Sequence, residues 1–188
     1  MSKREEFISL FSMYIHRDGA DKLLSWLDES SFFSDPASTR FHGCYEGGLC
    51  DHSVNVFEEL VRLLKAYPEI KVSAETAAIV TLLHDVCKIG CYKQELRNKK
   101  VNNVWVQQPT YVFHEDFCFG GHGSKSVYLI QKHMALTDEE AVAINCHMGA
   151  WDRNPTDSSV GAAYEKYPLA WLLHVADESA TYMRETNI

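Results

Sequence analysis

Six ionisable residues fall where the apolar pattern of this 188-residue chain points inward: His52, His84, Asp85, His122, His147 and Asp177. The densest point is Thr81-Leu82-Leu83-His84-Asp85-Val86-Cys87-Lys88. There an apolar run from Ala77 ends on an imidazole beside a carboxylate, with an ammonium three residues further on. A buried charge is costly unless it is paired or bound to metal, so His84 and Asp85 need partners. Imidazole and carboxylate together suit Zn, Fe, Mn or Ni. No C-x-x-C pair occurs among the six cysteines, which argues against a structural zinc. Four histidines and two aspartates suffice for two metals, with one carboxylate bridging.

The elements that must position these residues read as helices. Residues 2–17 form an amphipathic helix with Phe7, Leu10, Phe11 and Tyr14 on one face, and a shorter one covers about 21–29. Residues 30–50 are mostly loop, ending in the glycine-rich Gly43-Cys44-Tyr45-Glu46-Gly47-Gly48-Leu49. A helix over about 49–67 carries a core stripe of Val56, Phe57, Leu60, Val61 and Leu64. It places His52 in its first turn, facing inside. Ser73 caps a helix over about 74–86, stopped by Gly90. Residues 91–117 change character: Tyr92, Val104, Trp105, Val106, Tyr111 and Phe113 are strand formers, and Asn102-Asn103 supplies turn chemistry. They predict a small inserted β-hairpin. His122 opens a helix that runs to about His133. Thr137-Asp138-Glu139-Glu140 is a capping box for a helix reaching His147. Residues 148–166 read as loop, with Trp151, Asp152 and Arg153 in it. The last helix, about 168–184, carries His174 and Asp177 on one face. A helical bundle builds a metal site in this way, from side chains on facing helices.

Composition limits the function classes. Apolar residues at 46% support a folded core, and the formal charge is −8. That acidity disfavours duplex nucleic acid as a partner, although a metal site supplies positive charge for a small anion. No signal peptide and no membrane-length apolar run is visible, so the expectation is a cytoplasmic protein with reduced thiols. Cys87 and Cys91 bracket Lys88, but the six cysteines read as small, mostly buried residues. The cluster Lys93, Arg97, Lys99 and Lys100 reads as a solvated hairpin in preference to a substrate lip.

The ordered set resembles the HD-domain superfamily of metal-dependent phosphohydrolases. The resemblance spans about residues 40–184. It rests on Gly47-Gly48-Leu49-x-Asp51-His52-Ser53, Leu83-His84-Asp85-x-x-Lys88, Gly121-His122-Gly123, His147-Met148-Gly149 and His174-x-x-Asp177. The first two elements look most like HD domains of bacterial 3′–5′ exoribonucleases and of small phage and Firmicutes HD proteins. These 188 residues leave no room for the OB domain of those exoribonucleases, and a hairpin around Trp105 is not part of the minimal HD core. The resemblance implies an all-α HD bundle with the small hairpin inserted. It reads as one domain: N-terminal helices over 1–39, an HD core over 40–184 and the hairpin over about 91–117. It implies that His52, His84, Asp85 and Asp177 hold one metal, and that His122 and His147 bind a second with Asp85 bridging. The cofactors would be one or two divalent transition metals (Fe, Mn, Zn, Ni or Co).

The expected activity is phosphohydrolase or phosphodiesterase action on a nucleotide or small phosphoester through a metal-activated water. Asp85 and Lys88 are the candidate catalytic residues, with Lys88 neutralising phosphate charge. Lys88, His42, Tyr45 and Lys125 are candidate substrate-binding residues. His174 reads as a partner that orients a ligand. Two other readings use the same residues: a di-iron oxygenase of the inositol-oxygenase type, and a non-catalytic nucleotide-binding regulatory module.

Overall fold

The computed structural model describes residues 2–152 and 158–185. In chain order the elements are α1 (Lys3–Tyr14), α2 (Ala20–Glu29), α3 (Gly48–Ala66), α4 (Ala74–Leu83), β1 (Tyr92–Val101), β2 (Val104–Phe113), α5 (His122–Gln131), α6 (Asp138–Cys146), α7 (Ser159–Lys166) and α8 (Pro168–Ala180). This is an all-α bundle with a small hairpin, as expected.

Helix α4 is the axis of the packing. Every residue from Ala77 to Leu83 is buried, so this helix is apolar all round and sits in the interior. Helices α3 and α6 pack against it, α8 closes over α3 and α6, and α5 lies on α6. The N-terminal helices add Phe7, Phe11, Leu23 and Leu27 to the same apolar cluster. Both predicted caps are present: Ser73 accepts from the Thr76 N–H, and Thr137 with Glu140 forms a complete capping box on α6.

Four boundaries differ from the sequence reading, each for a local reason. The first helix stops at Tyr14, where Ile15 turns extended and Arg17 is drawn away to Glu75 and Glu140. The α4 helix ends at Leu83 instead of Val86. The His84 ring Nδ1–H takes the Thr81 carbonyl at 2.7 Å, displacing Asp85 from the helical ladder, and Val86–Lys88 winds on as a 3₁₀ turn. The stretch 148–166 is not all loop: it holds a 3₁₀ turn at Gly149–Asp152 and helix α7. Helix α7 buries no residue, so it shows no core stripe for a periodicity argument to find. Arg153 lies outside the described residues. The last helix runs as α-helix only to Ala180 and then widens into a π turn, Thr181–Glu185. Arg184 pairs there with Glu58 and Glu59 of α3.

Gly47 and Gly48 set the entry to α3. Gly47 has φ +83°, and a Cβ on Gly48 would lie 2.0 Å from the Gly43 carbonyl oxygen. The loop therefore folds tightly onto the helix start, and this delivers both His42 and His52 to the interior side.

The Arg17 guanidinium reaches Glu140 of α6 at 2.7 Å and Glu75 of α4 at 3.2 Å, tying three segments together. Burial alone would raise the Glu140 carboxyl. Its bonds to Arg17, Thr137 and Thr76 outweigh that and hold it below its ordinary value. Replacing Arg17 (Arg17→Met) strands a buried carboxylate and should cost about 3 kcal/mol in urea unfolding at pH 7. Because the folded-state pKa is depressed, this stabilisation is present above the unfolded value of about 4.3 and fades as pH falls below it. The gap between wild type and variant should therefore narrow in unfolding curves measured below about pH 4. An equal gap at both pH values would refute the assignment.

Candidate metal centre

Five of the six inward residues converge at the centre of the bundle. His52 comes from the first turn of α3, His84 and Asp85 from the end of α4, His147 from the end of α6 and Asp177 from α8. The donor atoms of His52, His84 and Asp85 lie within 4.8 Å of one another, as do those of His84, His147 and Asp177. His52 Nε2 is 3.3 Å from His84 Nε2, 3.1 Å from Asp177 Oδ1 and 3.6 Å from Asp85 Oδ2. Asp85 Oδ1 is 3.5 Å from His147 Nε2. Donors around one transition-metal ion with bonds of about 2.1 Å are spaced about 3 Å apart, so each of these two groups, which share His84, approaches the size of a coordination shell.

The imidazoles are oriented from behind. His84 Nδ1–H donates to the Thr81 carbonyl and His147 Nδ1–H to the Ile144 carbonyl, each at 2.7 Å and each three residues back. Both Nε2 lone pairs therefore face the centre. His52 Nδ1 is held at 3.1 Å by both oxygens of Glu185, which also accepts from Asn55 at 2.9 Å. Buried His147 Nε2 has no hydrogen-bond partner among the described residues. A fully buried nitrogen facing Asp85, Asp177 and the His84 imidazole, and with no such partner, fits a bound divalent cation.

The electrostatics fit the same occupant. Burial would lower His52, but Asp177 and Glu185 outweigh it and push the imidazole up to about 10. A metal bound at Nε2 would take the place of the proton there. Burial pushes His84 down to about 4, leaving it neutral and able to ligate. Burial would raise Asp85, but Lys88 and the neighbouring imidazoles hold it well below the carboxylate range, so it stays an anion.

The other sequence candidates fall at varied distances. Lys88 is buried, with Nζ 2.6 Å from Asp85 Oδ2, so it is no solvent-exposed helix-end lysine. His42 stacks near His52, ring centroids 4.8 Å apart, with its own buried Nε2 lacking a partner among the described residues. His42, His52 and Glu185 make a further group of donors on the outer side of His52. Tyr45 is half exposed and donates to Asp51 at 2.8 Å. Lys125 is buried, not exposed at a helix start, and pairs with Glu115 at 2.6 Å. His122 joins none of the donor groups. Its ring is two-fifths exposed, lies 3.9 Å from Asp152 and lines a small cleft with Lys88, Cys91 and Phe113. His174 donates from Nδ1 to the His147 carbonyl at 2.7 Å, and Gly149 (φ +56°) passes so close that a Cβ there would lie 2.9 Å from the ring.

Glu185 is the residue the sequence reading missed. It stands eight positions after Asp177, two helical turns on, but the helix was expected to end at Arg184. The π turn that brings it round leaves no sequence signature.

Among known protein families, one matches: the HD domain, over residues 49–182. That is well over half of the chain and covers every residue of the five-residue cluster. The chain belongs to the HD domain family. HD domains are generally metal-dependent hydrolases, and the buried His/Asp groups of this one have the composition to hold a divalent metal. Searches of curated proteins and of solved structures return no match.

Glu185 should set the affinity of this HD centre through His52. Glu185→Ala should weaken Mn or Zn binding about 10- to 100-fold in a chelator competition titration, with Glu185→Gln recovering part of the loss. Unchanged affinity in both variants would remove Glu185 from the metal site.

Proposed function

We propose that this HD domain is a metal-dependent phosphohydrolase or phosphodiesterase acting on a nucleotide or small phosphoester. The chain would work as a single unit, in a reducing cytoplasm where its cysteines remain thiols. The observation that carries the reading is the pair of overlapping buried donor groups, His52, His84 and Asp85 with His84, His147 and Asp177, beside the ammonium of Lys88.

A divalent cation would be held by donors from among His52, His84, Asp85, His147 and Asp177 and would supply Lewis acidity that favours deprotonation of water and offsets phosphate charge. The chain's own residues do the rest. Asp85 faces His147 with one oxygen and His52 and His84 with the other, so it fixes the donors relative to each other. Lys88 sits on Oδ2 of that carboxylate and is the cation nearest the reacting centre. It would meet an equatorial phosphate oxygen. His42 presents an unpaired nitrogen on the outer side of His52, where a substrate oxygen would approach.

The oxygenase and hydrolase readings draw on the same donors, and the family's general hydrolytic character supports the hydrolase. The free cysteines agree with thiol-preserving surroundings: Cys50, Cys87, Cys91 and Cys146 are buried, Cys44 is half-buried and Cys118 is exposed. No described helix is long and apolar enough to cross a membrane.

The test is hydrolysis of bis-p-nitrophenyl phosphate and a nucleotide panel with Mn, Co, Ni or Fe. Asp85→Asn should lower turnover about 100-fold or more, and Lys88→Met by a similar factor. Metal-dependent activity that survives Asp85→Asn would sink the proposal.

A further inference from the structure

One group of donors lies on the far side of His52 from the centre. His42, His52 and Glu185 each bring a ligand atom within 4.8 Å of the others. His52 belongs to both sides of this boundary through different atoms. Its Nε2 faces inward, 3.1 Å from Asp177 Oδ1 and 3.3 Å from His84 Nε2. Its Nδ1 faces outward, 3.1 Å from each oxygen of Glu185. The ring therefore stands between two sets of donors.

The outer members are held in place by their own surroundings. His42 sits in the loop that Gly43 (φ +54°) folds onto the start of α3. A Cβ on Gly43 would lie 2.7 Å from the Ala37 Cβ and 3.2 Å from the Gly48 carbonyl oxygen. Ser38 Oγ donates to the His42 carbonyl at 2.6 Å and accepts from the Phe41 N–H at 2.9 Å, so the loop is braced on both sides of this residue. Glu185 arrives from the π turn with its side chain 5% exposed. Asn55 Nδ2 donates to its Oε1 at 2.9 Å, which leaves lone pairs on both oxygens for a further partner.

The outer group carries the same unsatisfied chemistry as the inner one. His42 Nε2 is buried with no hydrogen-bond partner among the described residues, as His147 Nε2 is in the centre. A buried polar atom left without a partner is costly, and a cation would satisfy this one together with the Glu185 carboxylate. Two imidazoles and one carboxylate form a donor set that suits Zn, Fe, Co or Mn and leaves coordination positions open. The family resemblance implies a second ion elsewhere, at His122. That ring is two-fifths exposed and joins no donor group among the described residues.

We infer that the chain holds a second transition-metal ion between His42, Glu185 and the Nδ1 edge of His52, on the outer side of that ring. With both ions bound, His52 bridges them as an imidazolate and gives up both ring protons. The open positions of the outer ion take water or a phosphate oxygen, so an oxygen approaching His42 meets the ion that His42 holds. The inference rests on the metal-centre reading for the inner ion and does not depend on the chain being a hydrolase.

The experiment is titration of the metal-free full chain with Co(II), followed by visible absorption and by competition with a chelator. Wild type should take up about two ions per chain. His42→Ala should take up about one, with the affinity of that ion within about 10-fold of wild type, whereas His122→Ala should keep about two. His42→Cys puts a thiolate on the outer ion. It should add a sulfur-to-cobalt charge-transfer band in the near ultraviolet that grows with the second equivalent. Thermal unfolding of the metal-free variants reports that each one folds. A wild type that binds a single ion, or a His42→Ala chain that keeps two, overturns the inference. So does a second ion lost in His122→Ala and kept in His42→Ala, which would assign it to the position the resemblance implies. Loss of both ions from a folded His42→Ala chain also overturns it, because His42 would then serve the centre itself. A single ion in wild type leaves the central metal site standing, whereas no ion at all rejects that site as well.

Discussion

Everything in this molecule is arranged around the burial of one carboxylate. Asp85 is almost fully enclosed, and an unpaired carboxylate there would cost several kcal/mol. The chain surrounds it with the ammonium of Lys88 and the imidazoles of His52, His84 and His147, drawn from three helices. Two carboxylates, Asp85 and Asp177, share this interior. A divalent cation would satisfy both together with the His147 nitrogen that lacks a partner among the described residues.

The helices deliver their donors by a repeated local device. His84 and His147 each stand just past the end of an α-helix, and each ring caps the carbonyl three residues back. The bond does two things at once: it terminates the helix by competing with the backbone, and it fixes the tautomer that leaves Nε2 free. Asp85 falls out of the helical ladder as a consequence, which turns its carboxylate inward beside His84. His52 is oriented differently, by the Glu185 carboxylate, and that depends on a π turn pinned to α3 through Arg184 and Asn55. His174 braces the His147 backbone from the other side.

Much of this was legible in the chain itself. The apolar run Ala77–Leu83 announced a buried helix, and His84-Asp85 at its end announced the centre. The hairpin was readable from its strand formers and from Asn102-Asn103, which alone take positive φ among the described non-glycine residues. The capping box on α6 and the inward turn of His52 followed from local rules. What stayed hidden was non-local or unpatterned. Glu185 reaches the site through a π turn. Helix α7 has no buried face. The pairing of Lys125, a candidate substrate-binding residue, with Glu115 was hidden because Glu115 lies in an irregular loop. His122 shares the sequence context of a ligand, yet its ring turns outward toward Asp152. Spacing cannot distinguish those two orientations.

The hairpin and the centre answer to different constraints. The centre is buried and its donors come from α3, α4, α6 and α8. The hairpin is an exposed ribbon tied to the body at its base, where the Tyr92 hydroxyl donates to the Ala37 carbonyl.

The central claim is that the three Nε2 donors and two carboxylates hold a transition-metal ion. Elemental analysis of the chain purified without oxygen tests it most directly. The account predicts about one transition-metal equivalent or more per chain. A protein that retains none, and takes up none when supplied with Mn, Fe, Co, Ni or Zn, would contradict it.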